Sequence, residues 1–179
     1  YLRVANVQDG RLDLKEIKYI EVPARQVSRY ALQVGDVLMT EGGDADKLGR
    51  GTVWKGEIEP CLHQNHIFAV RTRRERVLPG YIAALAASEY GRSYFLACAK
   101  RSTNLASINS TQLKAFPVPL APLEVQSKLQ SAIDAALSAV DAADRLAARL
   151  VMERDSIANA LFTGRRSPGY ASVASAASA

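Results

Sequence analysis

The sequence predicts an α+β protein: a front part that mixes strands and helices, then a single long helix. Three features carry this expectation. Before Pro79, short apolar runs alternate with polar residues and are separated by Gly/Asp turns, the pattern of half-buried strands. After Pro79 the apolar spacing becomes helical. From Leu123 to Phe162 the chain contains neither proline nor glycine, directly behind Pro117, Pro119 and Pro122.

Taken in order, YLRVANVQDGRLDLKEIKYIEV reads as two strands around a turn at Gln8-Asp9-Gly10. VGDVLMT supplies a third strand after the Gly35-Asp36 turn. EGGDADKLGRG, rich in glycine and acids, is a loop, and TVW and CLHQNHIFAVRTR are further strands. PGYIAALAASEYGRSYFLACA has helical spacing at Ile82, Leu85, Ala86, Tyr94, Phe95 and Cys98, with Pro79 tolerated in the first turn. KRSTNLAS is a polar, basic connector. Asn109, with Gln112 three residues on, forms a capping box that opens a short helix. FPVPL is extended, because a residue before proline avoids the helical region.

Pro122 suits a first helical position, and Glu124 favours the positive N-terminal end of a helix. Leu129, Ile133, Ala136, Val140, Ala143, Ala147, Leu150, Arg154, Ile157 and Leu161 then step by alternating four and three, a coiled-coil seam with one polar intruder at Arg154. The pairing positions are Leu129, Ile133, Val140, Ala147, Leu150, Ile157 and Leu161. At ~1.5 Å per residue the helix is a rod of about 60 Å. That exceeds the width of the front domain, whose radius of gyration is ~14 Å. The seam is therefore expected to meet a helix from another chain, or from another copy of the unit, rather than fold back. Gly164 ends the helix, and SPGYASVASAASA is a disordered tail. The expected boundaries are 1–120, 121–164 and 165–179.

The net charge of +5 is unevenly placed. Residues 1–120 hold 17 Lys/Arg against 12 Asp/Glu, whereas 121–166 hold 6 against 6. A basic excess confined to one domain suits a polyanion partner. No apolar run approaches the ~18 residues of a membrane span, the start has no secretory pattern, and two cysteines do not make a disulfide framework. A cytoplasmic location fits.

CLHQNH invites metal or nuclease readings through Cys61, His63 and His66. On a strand, Cys61 and His63 share a face that His66 cannot easily join, and no other histidine exists to complete a tetrahedral site. GGDADKLGRG lacks the spacing of a phosphate loop. No acid pair or nucleophile–base set is evident, so the expected catalytic and metal residues are none. What remains suits DNA. Lys47, Arg50, Arg71, Arg73, Arg74, Arg76, Lys100 and Arg101 are candidates for phosphates. Gln64, Asn65, Ser102, Thr103 and Asn104 are candidates for finer contacts. A basic adaptor joined to other proteins by its coiled coil is the competing non-enzymatic reading.

The stretches YLRVANVQDGRLDL, VGDVLMTEGGDADKLGRGTVW, CLHQNHIFAVR, INSTQLKAFPVPLAPLEVQ and SIANALFTGR occur in this order over residues 1 to about 166. Together they resemble the specificity subunits of type I restriction-modification systems. The resemblance implies a mixed α/β target recognition domain with a bent, mostly antiparallel sheet. It also implies that the long helix pairs antiparallel with a partner helix, from a second specificity half or a homodimer, as a ruler between two half-sites of double-stranded DNA. Methylation subunits that carry S-adenosylmethionine would dock on it, and restriction subunits would bring ATP and Mg. No cofactor belongs to the specificity part itself. By the same resemblance the chain looks like half a subunit, without the opening segment that precedes such a domain.

Overall fold

The computed structural model describes residues 1–43, 48–101 and 106–164. These residues fall in two units, Tyr1–Ile133 and Asp134–Ala179. The first holds two three-stranded antiparallel sheets and four short helices. The last element, a single long helix, begins in it.

The first sheet is built from β1 (Val37–Thr40), β3 (Gly51–Val53) and β4 (Ile67–Val70), in the order β3-β1-β4. Alternation along β1 sends successive side chains to opposite faces. Val37 and Met39 join Leu48, Ile82, Ala86, Phe95, Ile108 and Phe116. Leu38 joins Leu2, Val7, Trp54, Cys61 and Ile67 on the other face. A strand covered on both sides must be apolar at consecutive positions, which is why VLM reads as a run rather than an alternation. Helices α2 (Pro79–Ala87) and α3 (Glu89–Cys98) supply the first of these cores. They are two helices, not one: Ser88 breaks the run and its hydroxyl accepts the Gly91 N–H, capping α3. The rings of Phe95 and Phe116 lie 4.9 Å apart, and Tyr94 packs 5.4 Å from Phe95 and 5.2 Å from Phe116.

The second sheet is β2 (Gly42–Gly43), β5 (Lys100–Arg101) and β6 (Ala106–Ser107), in the order β2-β6-β5. A single residue, Glu41, separates β1 from β2, so the chain passes from one sheet to the other without a loop. The connector expected at KRSTNLAS is in part this β5–β6 pair.

The opening segment departs from the two expected strands. It forms a 3-10 turn at Val4–Asn6 and makes only isolated bridges, Leu2 with His63 and Val7 with Leu12. Asn6 is the cause. Its buried side chain accepts the Arg3 N–H at 2.7 Å and donates to the carbonyls of Asp13 and Glu16 at 2.7 and 3.0 Å. A local side-chain network of this kind competes with a ladder for the same backbone groups. The segment that follows leads into α1 (Ala24–Tyr30), which has no buried residue. CLHQNH is likewise not a strand, since only His63 bridges and β4 begins at Ile67.

Helix α4 (Ser110–Lys114) opens with the capping box read from the sequence. Asn109 Oδ1 accepts the Gln112 N–H at 2.9 Å, and Gln112 Oε1 accepts the Asn109 N–H at 2.7 Å. Residues 116–122 belong to no helix or strand, and helix α5 (Leu123–Thr163) runs unbroken for 41 residues. Gly164 closes it with φ of 66° and an N–H bond to the Ala160 carbonyl. The 165–179 tail lies outside the described residues. Among those described, no helix is long and apolar enough to cross a membrane.

Candidate nucleic-acid interface

Register divides the candidate residues between two ends of the first sheet. Val37 pairs with Val70 and Val53, whereas Thr40 pairs with Ile67 and Met39 with Gly51. Residues before β3 and before β4 therefore collect at the Thr40 end, and residues after them at the Val37 end.

At the Thr40 end, Arg50 accepts the Thr40 N–H through its carbonyl. The Gln64–His66 turn leads into β4. Glu41 ties this end to the second sheet: its N–H donates to the His66 carbonyl at 2.9 Å, and its own carbonyl accepts the Ile108 N–H at 2.8 Å. Its carboxylate meets His66 Nδ1 at 2.6 Å. Gly43, Ala106 and Arg101 lie side by side at the far edge of the second sheet. The candidates Lys47, Ser102 and Asn104, and with them Thr103, lie outside the described residues. Lys100 and Asn65 are exposed, and Arg50 is half-buried. Among the described residues, the buried atoms Thr40 Oγ1 and Arg50 Nε lack a hydrogen-bond partner. Gln64 is half committed, because its Oε1 accepts the Val4 N–H at 3.3 Å, which leaves its amide NH2 to point elsewhere.

The Val37 end holds Arg71, Arg73 and Arg74, none of which lies on a strand. Arg71 Nε and Nη2 donate to Asp36 Oδ1 and Oδ2, both at 2.7 Å. Asp36 is 1% exposed. Burial alone would raise its carboxyl, but the Arg71 hydrogen bonds, the Gln33 N–H and the Arg71 charge outweigh it and hold the carboxyl below its usual range. Arg74 donates to the Val34 carbonyl. Arg73 is exposed. The sequence grouped all three with Gln64, Asn65, Lys100 and Arg101; the fold does not bring them to one end.

Cys61, His63 and His66 do not converge as a metal site. Cys61 sits in the apolar core, where burial pushes its thiol up, and it donates to the Leu62 carbonyl. His63 Nδ1 lies 2.8 Å from the Gln64 carbonyl, and His66 faces Glu41. Neutral thiols are poor ligands and poor nucleophiles. Among the described residues no group of three His, Cys, Asp or Glu could hold a metal ion.

The seam of α5 is open. Leu129, Val140, Leu150 and Ile157 are about half exposed, Leu161 is 78% exposed, Ala147 is exposed and Ile133 is half-buried. Arg154, the polar intruder, pairs with Asp155 at 2.7 Å. Glu124–Lys128 and Arg149–Glu153 are i,i+4 pairs on exposed faces, worth about 0.3–0.5 kcal/mol each.

These features define a mixed α/β domain with small antiparallel sheets, joined to a long helix whose apolar stripe is uncovered. The HsdS subunit from Thermoanaerobacter tengcongensis shares this fold, with a TM-score of 0.59 and 19% identity over 86% of this chain and 39% of that one. No protein-family model matches the sequence. In sequence the chain is similar to type I restriction enzyme specificity subunits. It is 29% identical over 128 residues to the putative type I restriction enzyme MjaX specificity subunit of Methanocaldococcus jannaschii, covering 71% of this chain and 30% of that protein. It is 25% identical over 149 residues to the type I restriction enzyme EcoKI specificity subunit of Escherichia coli, covering 80% and 31%. The chain thus spans under a third of the length of these curated relatives.

Proposed function

We propose that this chain is one recognition half of a type I restriction-modification specificity subunit. Residues 1–120 read one half of a split double-stranded DNA site. Residues 121–164 pair antiparallel with a like helix, from a homodimer or a second specificity half, that carries the other reader. The observation that carries this reading is the collection of Arg50, the Gln64–His66 turn and Lys100–Arg101 at one end of two linked sheets, in a chain similar to specificity subunits.

Arg50, Lys100, Arg101 and Lys47 neutralise phosphates and set the register of the domain on the duplex. Asn65, Ser102, Asn104 and the free amide of Gln64 face base edges. A bidentate amide contact of this type discriminates by about 1–3 kcal/mol. Arg71 and Arg74 hold the far end of the sheet. No chemical step belongs to the chain. Methylation subunits docked on it bind S-adenosylmethionine and modify adenine, restriction subunits use ATP and Mg, and the assembly works in a bacterial or archaeal cytoplasm.

The test is to assemble the whole specificity protein with its methylation subunits and map methylated adenines on random-sequence DNA. A two-part sequence with a fixed gap is expected. Methylation without sequence preference, or salt-insensitive binding to random duplex, would leave the adaptor reading in its place.

A further inference from the structure

The root of α5 is fastened to the front domain by two glutamines. Gln126 is fully buried, an uncommon place for a polar side chain on an otherwise exposed helix. Its amide makes three bonds to three places in the chain. Oε1 accepts the Leu78 N–H at 2.9 Å, and Nε2 donates to the Arg76 carbonyl at 3.0 Å and the Ala121 carbonyl at 2.7 Å. One turn on, Gln130 Oε1 accepts the Gly80 N–H at 3.2 Å.

These bonds answer a need of α2. Its N-cap is Leu78, which offers no side-chain cap, and its first residue is Pro79, which has no N–H. The Tyr81 N–H returns to the Leu78 carbonyl, so the Gly80 N–H is the donor left over, and α5 supplies the acceptor. The approach is close: a Cβ on Gly80 would run into the Gln130 side chain and displace its amide from the Gly80 N–H. The proline segment is held by α2 and α3, since Tyr81 Oη donates to the Pro119 carbonyl at 2.7 Å and Tyr90 Oη to the Pro117 carbonyl at 3.0 Å.

We infer that Gln126 and Gln130 are positioning residues that convert a flexible proline linker into a rigid joint between the reader and its helix, and so fix the gap between half-sites. The inference rests on the split-site reading above. A buried amide with three partners has no second arrangement that keeps them all satisfied. Prolines stiffen the backbone of the linker but leave its ψ angles free; the glutamines supply the missing constraint.

The experiment compares Gln126→Leu and Gln130→Ala with the parent, each in the whole specificity protein with its methylation subunits. Two quantities are read: the half-site sequence, and the preference for the native gap over gaps one base pair longer or shorter. The expected result is an unchanged half-site sequence with gap preference reduced about tenfold, a difference of ~1.4 kcal/mol, more for Gln126→Leu than for Gln130→Ala. Gap preference equal to the parent in both variants overturns the inference. So does loss of the half-site sequence in both, because the glutamines then serve the fold of the reader and not the joint. If the parent itself shows no split site, the underlying reading has failed rather than the joint.

Discussion

Arg71 and Asp36 meet fork to fork, two parallel hydrogen bonds of 2.7 Å across the mouth of β1. The carboxylate is buried and the guanidinium side chain is 55% exposed. The pair therefore neutralises a charge that the fold has taken out of water, and removing Arg71 leaves it unpaired. Arg71→Ala is expected to cost roughly 2–3 kcal/mol, below the ~3–5 kcal/mol of a fully buried pair because solvent reaches one partner. The Asp36 carboxyl titrates lower in the folded chain than the ~3.9 of an unfolded aspartate. Its contribution is thus complete at neutral pH and is lost as pH falls below about 4 toward the folded-state value. Denaturant unfolding from pH 7 to 3 should show the parent beginning to lose this increment below about pH 4, and Asp36→Asn showing no such loss from this group.

Lys100 and Arg73 separate the two ends of the sheet by experiment. Both are exposed cations, yet one lies in the second sheet at the Thr40 end and the other follows β4 at the Val37 end. On the proposed reading, in which Lys100 meets a phosphate, Lys100→Ala should lower the slope of log affinity against log salt by about 0.9. Arg73→Ala should leave the slope unchanged. Equal effects from the two would mean that the DNA does not distinguish the ends.

The capping box at α4 has both of its reciprocal bonds, and α4 follows the second sheet directly. Asn109→Ala should lower stability by about 1 kcal/mol, measured as a shifted denaturation midpoint with an unchanged slope. Half-site sequence preference should persist at a denaturant concentration where the variant is still folded.

What the sequence revealed was whatever depends on neighbours in the chain. The capping box, the unbroken α5 and its terminal glycine are all local, and each was readable from spacing alone. VLM in β1 was readable as a strand but not as a doubly covered one, because two separate cores decide that. The opening segment misled because Asn6 satisfies backbone groups of Asp13 and Glu16, a choice no alternation pattern encodes. Residue types nominated Gln64, Asn65, Lys100, Arg71 and Arg74 together; only the register assigns Arg71 and Arg74 to the opposite end of the first sheet. Gln126 was hidden for a similar reason: a glutamine in a first helical turn looks solvated until its partners at Arg76 and Leu78 are known.

The open seam of α5 makes the length of this helix testable apart from the reader. One heptad inserted after Ala143 adds about 10.5 Å at ~1.5 Å per residue and returns Ala147, Leu150, Ile157 and Leu161 to the same face. Against ~3.4 Å per base pair, the gap between half-sites should grow by about three base pairs while the half-site sequence stays the same. Two residues inserted at the same point turn the following stripe by roughly 200°, so the apolar positions no longer continue the face that precedes them. That variant should lose pairing and split-site methylation while still binding a single half-site. A gap unchanged by the heptad insertion, read from methylated positions, would mean that α5 does not set the distance, whatever its seam packs against.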